Sequence, residues 1–194
     1  PRCSSGLCRF VCLTGRVNGI CGASRRVRVG ARGRVLGWTF GDFGGTDDPQ
    51  VAASVVDHGK GRIVGVYFNL GGFYHEAASA DMRDYIAGLV KELFPQPMVE
   101  VSGSHYVDVV LSRQNHRTIT HLINNAGAHS NPRVQVLDEI PSVGPLRVLL
   151  RLDREPTLLT LEPGRRPLAY TMEGDRVAIE IPELRIHDMI VAEQ

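Results

Sequence analysis

Leu146-Arg-Val-Leu-Leu-Arg-Leu152 is the stretch that decides the fold of the second half of this 194-residue chain. Its apolar side chains at every second position predict a strand with one face in a core, because successive side chains of a strand point to opposite sides. The alternation returns in Val177-Ala-Ile-Glu-Ile181, and Glu173-Gly-Asp175 just before it has the composition of a hairpin turn. The pattern predicts antiparallel strands packed on one side.

Outward from this stretch, short strands recur from Tyr106 to Val191 without helical periodicity. Their spacing of roughly 8–12 residues, with turn residues between them, is typical of a β-sandwich. The predicted strands are Val107–Ser112, Thr118–Asn124, Arg133–Asp138, Leu146–Leu152, Thr157–Leu161, Leu168–Met172 and Val177–Ile181, with Asp188–Val191 as a further edge strand.

Residues 35–101 follow a different pattern, that of an α/β unit. Ile63–Leu70 is a continuous apolar run of the kind found in central strands that are buried on both faces. Glu76–Phe94 has apolar residues three and four positions apart, which predicts a helix with one buried face. The residues of that face are Met82, Tyr85, Ile86, Leu89, Val90 and Leu93. A single helix cannot cover both faces of a sheet, so the pattern predicts only a partial α/β layer.

Residues 1–34 form an Arg- and Cys-rich leader that we expect to be disordered or artificial. Residues 1–35 hold eight Arg and no acidic residue, whereas the remaining 14 basic residues face all 21 acidic ones. The acidic body argues against nucleic acid as a partner, and no apolar run of roughly 18 residues predicts a membrane span. With no initiator Met, the sequence is expected to be a piece of a longer protein.

All four cysteines lie in this leader, at positions 3, 8, 12 and 21. Their spacing matches neither a paired zinc motif nor a redox motif. A body without cysteine is compatible with a cytoplasmic protein, and that is the location we expect.

Three phrases carry a resemblance to a known family. Asp57–Leu70 resembles a stretch of the trimerisation domain of bacterial β-galactosidases, Arg117–Asn125 resembles the strand that opens their C-terminal β-domain, and Gly174–Val191 is similar to their closing hairpin. The resemblance implies the second half of an amidotransferase-like α/β domain followed by a small Greek-key β-sandwich. In that family the catalytic carboxylates sit on an upstream (β/α)₈ barrel, which is missing from this sequence.

Two acidic pairs were weighed as catalytic groups, because glycoside hydrolysis needs two carboxylates at a fixed separation. Asp138 and Glu139 are adjacent on a predicted strand and would point to opposite faces. Asp47 and Asp48 precede Pro49 in a turn-rich loop, where acidic residues have a turn role. Neither pair is assigned to catalysis.

The sequence contains weaker signals of a cysteine nucleophile and of a histidine metal site. Cys21 lies among small residues as a nucleophile on a sharp turn would, but no apolar strand precedes it. His116 and His121, with His105 and His129 nearby in sequence, invite a metal site, yet positions 116 and 121 would fall on opposite faces of a strand.

Sugar binding depends on exposed aromatic side chains that stack on pyranose rings. The β-domain offers only Tyr106 and Tyr170, and the single Trp38 lies in the α/β part. Phe73-Tyr-His75 either closes the core at the helix entry or reaches toward a neighbouring subunit.

The sequence thus predicts an α+β two-part chain: a leader over 1–34, a partial α/β amidotransferase-like, trimerisation-like domain over 35–101, and an antiparallel Greek-key β-sandwich over 102–194. The predicted function is a non-catalytic accessory and assembly region of a glycoside-hydrolase-like protein. A carbohydrate-binding module and a Cys-dependent amidotransferase-like hydrolase are the alternatives. No catalytic, cofactor-binding or metal-binding residue and no cofactor is assigned. The expected partners are an upstream barrel or sister subunits, with carbohydrate possible.

Overall fold

A computed structural model describes residues 8–13, 16–21, 24–41, 49–77, 79–127 and 139–194. The chain divides into two compact units, Pro1–Gln96 and Pro97–Gln194. The first unit has one sheet and two buried clusters of apolar side chains, and the second has two sheets and one such cluster.

The first unit is built on one five-stranded sheet in the order β2-β1-β3-β4-β5, and every neighbouring pair is antiparallel. Its strands are β1 Cys8–Leu13, β2 Arg16–Cys21, β3 Gly33–Phe40, β4 Gln50–His58 and β5 Gly61–Val66. β4 and β5 form a hairpin around Gly59, whose positive φ of 58° glycine adopts without steric cost.

Two helices follow the sheet, α1 Leu70–Ala77 and α2 Ala80–Leu93. Near the start of α1 the side-chain oxygen of Asn69 accepts the Gly72 N–H at 3.2 Å, which satisfies one of the free donors of a first helical turn. Tyr85 and Leu89 of α2 pack with Ala53 of β4, and the Tyr85 ring is parallel to that of Phe68 with centroids 6.2 Å apart. Neither helix, and no other helix of the described residues, is long and apolar enough to cross a bilayer.

The predicted partial α/β amidotransferase-like layer is wrong. β4 and β5 are joined by a two-residue turn and run antiparallel, whereas the strands of an α/β layer are parallel and need a helical crossover. The apolar run 63–70 misled the prediction, because only residues up to Val66 are strand and Leu70 already begins a helix. Short apolar runs do not distinguish a buried strand from the start of a helix.

The second unit contains two antiparallel sheets. One has five strands in the order β11-β10-β14-β8-β7, and the other has four in the order β12-β13-β9-β6. The strands are β6 Val99–Ser102, β7 Val107–Gln114, β8 Arg117–Asn124, β9 Leu146–Arg151, β10 Leu158–Glu162, β11 Arg166–Pro167, β12 Thr171–Glu173, β13 Arg176–Ile181 and β14 His187–Glu193.

Side chains from both sheets share a single buried cluster, which makes the second unit a β-sandwich. Its fully buried members include Leu146, Val148 and Leu150 of β9 and Ile179 of β13. The alternation seen in the sequence at 146–152 and 177–181 therefore correctly identified the residues that face the core.

Several predicted strands differ from the structure. The Asp188–Val191 segment is a central strand and not an edge strand, because β14 pairs with β10 on one side and β8 on the other. Of the predicted strand Leu168–Met172 only the last two residues are in a strand, β12, and residues 168–170 connect β12 to β11 in the other sheet. β6, which begins within the region 35–101 that was predicted as an α/β unit, pairs with β9 in the sandwich. Arg133–Asp138 lies outside the described residues, and β1 and β2 lie in the leader, where no strand was predicted.

Candidate functional site

The outer face of the four-stranded sheet is a network of ion pairs. Its arginines come from β9 and β13, and most of their carboxylate partners come from neighbouring strands and turns. The pairs are Arg147 with Glu173 and Glu180, Arg151 with Asp175, and Arg176 with Glu100. Each of these carboxylates is paired with an arginine at the surface, so this face is a network of solvated ion pairs.

A polar cleft of about 470 Å³ lies at the end of the sandwich where β7 turns into β8. The carboxylate that lines this cleft is paired, since Arg117 Nη2 lies 2.8 Å from Glu193 Oε1. In an adjoining cleft of about 370 Å³, Arg113 Nη1 lies 3.3 Å from Asp153 Oδ2. The Gln194 side chain closes the cleft from another side by donating to the Arg154 carbonyl at 3.0 Å.

A shallow groove of about 490 Å³ in the first unit contains the only tryptophan of the chain. Trp38 is 42% exposed there, beside Arg26, Arg28 and Gln50. An exposed indole next to side chains that form hydrogen bonds is the combination by which proteins hold a sugar ring, with the indole against its apolar face. This groove has the best chemistry for a carbohydrate among the described surfaces.

A histidine pair lies on the outer face of the five-stranded sheet of the sandwich. His121 of β8 is opposite Met189 of β14, and His187 is two residues before Met189, so both rings are on the same face. His121 Nδ1 and His187 Nε2 are 3.1 Å apart, with ring planes parallel to within 1° and centroids 5.3 Å apart. This distance is a hydrogen bond in which one nitrogen donates and the other accepts.

The C-terminal end of α2 exposes an apolar patch. Met82, Tyr85 and Leu89 are buried, but Val90 and Leu93, which the sequence pattern placed on the same face, are 53% and 47% exposed. Phe94, the residue after the helix, is 54% exposed. We call Val90, Leu93 and Phe94 the α2 end patch. Two of the six residues on the predicted apolar face of α2 are therefore exposed among the residues that the structure describes.

Most of the acidic residues that the sequence offered as catalytic candidates lie outside the residues that the structure describes. Asp47, Asp48 and Asp138 lie outside the described residues, and Glu139 is exposed. Cys21 is the last residue of β2.

Among the histidine candidates, His116 lies in the turn between β7 and β8 and His121 lies within β8, so the two are not a pair. His129 is outside the described residues, and those that are described hold no group of three or more metal-ligating side chains. The actual partner of His121 is His187, which is 66 residues away in sequence. Sequence reasoning missed it because only strand pairing brings the two together.

The aromatic candidates are separated. Tyr106 is exposed, and Tyr170 donates to Glu155 Oε1 at 3.1 Å, a hydrogen bond that together with partial desolvation and the charge of Glu155 raises the pKa of Tyr170. Phe73 lies in α1 and packs against buried Ala52 and Met82, so it closes the core.

The comparisons with known proteins show a similar fold and nothing more. No protein-family model and no curated protein sequence matches the chain. The α-L-fucosidase isoenzyme 2 from Paenibacillus thiaminolyticus matches 98% of this chain with a TM-score of 0.79 and 16% sequence identity. The GH42 β-galactosidase Gan42B from G. stearothermophilus and its catalytic mutant each match 96% of the chain with a TM-score of 0.55 and 13% identity.

The match covers 32% of the fucosidase and 22% of the β-galactosidase, so this chain spans less than a third of the length of either enzyme. No support comes from these comparisons for a trimerisation or amidotransferase-like domain. The fold of this chain is one that also forms part of two glycoside hydrolases, an α-L-fucosidase and a β-galactosidase.

Proposed function

We propose that this chain is a non-catalytic accessory and assembly region of a glycoside-hydrolase-like protein. The observation that carries the proposal is the α2 end patch, which continues the helix's apolar face beyond the part that the sheet covers. Contiguous apolar side chains that remain in water are a feature of surfaces that bind another protein. The fold supports the same proposal, because it recurs as a minor part of two much longer glycoside hydrolases.

The charge distribution on the sandwich fits a supporting role. Carboxylates of its four-stranded sheet and of its polar cleft are held by arginines in surface ion pairs. Glycoside hydrolysis instead requires one protonated and one ionised carboxyl group around the scissile bond. Catalysis in the proposed parent protein belongs to a domain outside this chain.

Size-exclusion chromatography with light scattering tests the assembly role on the 194-residue chain. Wild type is expected to self-associate with rising concentration, and Leu93→Glu with Phe94→Glu is expected to keep it monomeric, because two charges in the patch oppose burial. Met172→Glu is the matched control, since Met172 is an exposed apolar residue in the other unit. Equal association of all three proteins would contradict the proposal, as would hydrolysis of a chromogenic galactoside or fucoside by the purified chain.

Carbohydrate binding in the Trp38 groove is the second candidate. Because Trp38 is the only tryptophan, its fluorescence reports on this groove alone. Galactose, fucose and their oligosaccharides are the sugars to add, and saturable quenching that Gln50→Ala weakens would favour a binding module. Unchanged fluorescence at millimolar sugar would leave the accessory role as the better account.

A further inference from the structure

We propose that His121 and His187 form a two-histidine chelating site for a divalent transition metal of the Cu²⁺ and Ni²⁺ class. The site is independent of the proposed accessory function, because it lies on the sandwich and uses neither the α2 end patch nor the Trp38 groove. It is the only pair of histidine rings in contact among the described residues.

The separation of the two nitrogen atoms suits chelation. A metal ion about 2.1 Å from two nitrogen atoms that are 3.1 Å apart sees them at an angle of about 95°. That angle is close to the cis angle of ~90° in the square-planar and octahedral geometries of Cu²⁺ and Ni²⁺, for which imidazole is a good ligand. The spacing is too short for the angle that a tetrahedral metal prefers.

Binding replaces the hydrogen bond between the rings. The proton shared by His121 Nδ1 and His187 Nε2 moves to the other nitrogen of its own ring, a tautomeric change that every neutral imidazole can make. The freed lone pair and that of the partner ring then both bind the metal. No other group is consumed, and the exposure of His187 leaves its ring room to turn toward the metal.

The scaffold holds the two rings in place. β8 and β14 are adjacent strands paired over seven residues, from His187↔Ile123 to Glu193↔Arg117, and each has a further strand on its other side. On this face, His121 lies between Met189 of β14 and Val110 of β7, and Ile123 is directly opposite His187, so the rings have apolar neighbours. Rings placed by a rigid sheet lose little entropy on chelation, which raises the affinity over that of one histidine.

The described side chains supply no third protein ligand, so the remaining coordination positions take water or an added small ligand. An open two-histidine site binds metal reversibly and leaves positions at which another donor can coordinate. This predicts ternary complexes with imidazole or an amino acid.

Isothermal titration of NiCl₂ into the 194-residue chain tests the site. The cysteine thiols at positions 3, 8, 12 and 21 are alkylated in every sample, so that they cannot bind the metal. Wild type is expected to show one saturable site, and His187→Gln and His121→Ala each are expected to weaken it by at least about tenfold, because a chelate becomes a single ligand. His116→Ala is the matched control, since His116 is an exposed histidine at the end of the same strand pair.

Electron paramagnetic resonance of the Cu²⁺-loaded chain counts the ligands directly. Wild type should show nitrogen couplings from two imidazoles, and His187→Gln should show one. Circular dichroism and urea unfolding establish that both variants fold, so a lost site is not a lost fold. Equal nickel affinity in wild type and both variants, or a copper spectrum unchanged in His187→Gln, would overturn the proposal.

Discussion

Asn124, the last residue of β8, is the polar residue most deeply involved in holding the sandwich together. Its buried side-chain amide donates to the carbonyls of Arg185 at 2.7 Å and Pro141 at 2.8 Å, and its side-chain oxygen accepts the Ala126 N–H at 2.8 Å. One amide thus ties three separate chain segments to the end of a strand. Buried carbonyls and N–H groups need such partners because water cannot reach them.

Replacing Asn124 is therefore expected to cost stability. Asn124→Ala leaves buried backbone groups without partners and should lower the free energy of unfolding by about 2–4 kcal/mol. Urea unfolding followed by circular dichroism measures the loss. Asn125→Ala is the control at the next position, where the side chain is exposed and its bond to Asp108 is at the surface, and it should change stability by less than about 1 kcal/mol. Equal losses for the two variants would contradict the role given to Asn124.

Tyr85 carries a buried hydroxyl group that has no hydrogen-bond partner among the described residues. Burial raises the pKa of Tyr85 from its usual 10 to about 12. The folded protein therefore keeps the phenol proton at pH values where the unfolded chain has lost it. Unfolding then releases a proton, so the free energy of unfolding falls as the pH rises from about 10 towards 12.

Tyr85→Phe removes both effects while keeping the ring against Phe68. We expect this variant to be as stable as wild type or more stable at neutral pH, because an unpartnered buried hydroxyl is removed. Its stability should also decline less steeply than that of wild type between pH 10 and 12. Urea midpoints measured across this range test both expectations, and parallel curves for the two proteins would count against the assigned burial.

The apolar face of helix α2 is buried against the sheet along most of its length and exposed to solvent near its C-terminal end. The first three turns of α2 pack on the sheet through Met82, Tyr85 and Leu89, whereas Val90 and Leu93 near its C-terminal end are exposed. Periodicity in the sequence identified the whole apolar face, but it could not show where the covering sheet ends. The cover depends on the positions of β4 and β5, which are set by strand pairing.

Alanine substitutions at two adjacent positions of α2 compare a buried side chain with an exposed one. Leu89→Ala should lower the free energy of unfolding by about 2–4 kcal/mol, because it leaves a cavity beside Ala53 and Tyr85. Val90→Ala removes an exposed side chain and favours the helix, so it should change stability by less than about 0.5 kcal/mol. Thermal or urea unfolding of both variants measures the contrast, and a larger loss for Val90→Ala would be inconsistent with the structure.

The whole molecule consists of two units whose apolar clusters do not share residues. Every member of the sandwich cluster falls between Val99 and Ala192, within the unit Pro97–Gln194. The clusters of the first unit draw on the sheet strands and the two helices. A unit with its own core is expected to fold by itself.

Residues 97–194 expressed alone should therefore form the sandwich. We expect a β-type circular dichroism spectrum and a single cooperative unfolding transition, because the buried cluster and both sheets are complete in this segment. Ile179→Ala in the same segment serves as the control and should lower the transition, since Ile179 is fully buried. A disordered spectrum for residues 97–194 would show that the sandwich depends on the first unit.

The sequence by itself determined which side chains of the sandwich face inward. Alternation in a strand is a local property of the backbone, so Leu146, Val148 and Leu150 could be assigned to the core without knowledge of any partner strand. It also identified the apolar face of α2, because helical periodicity is local as well.

Tertiary structure alone decided the direction of the strands of the first unit, the central place of β14 and the meeting of His121 with His187. Each depends on which distant strands form hydrogen bonds with each other. Pairing of this kind arises from backbone groups that every residue carries, so it leaves little trace in the order of the side chains. That is why the α/β layer was predicted wrongly and the histidine pair was not foreseen.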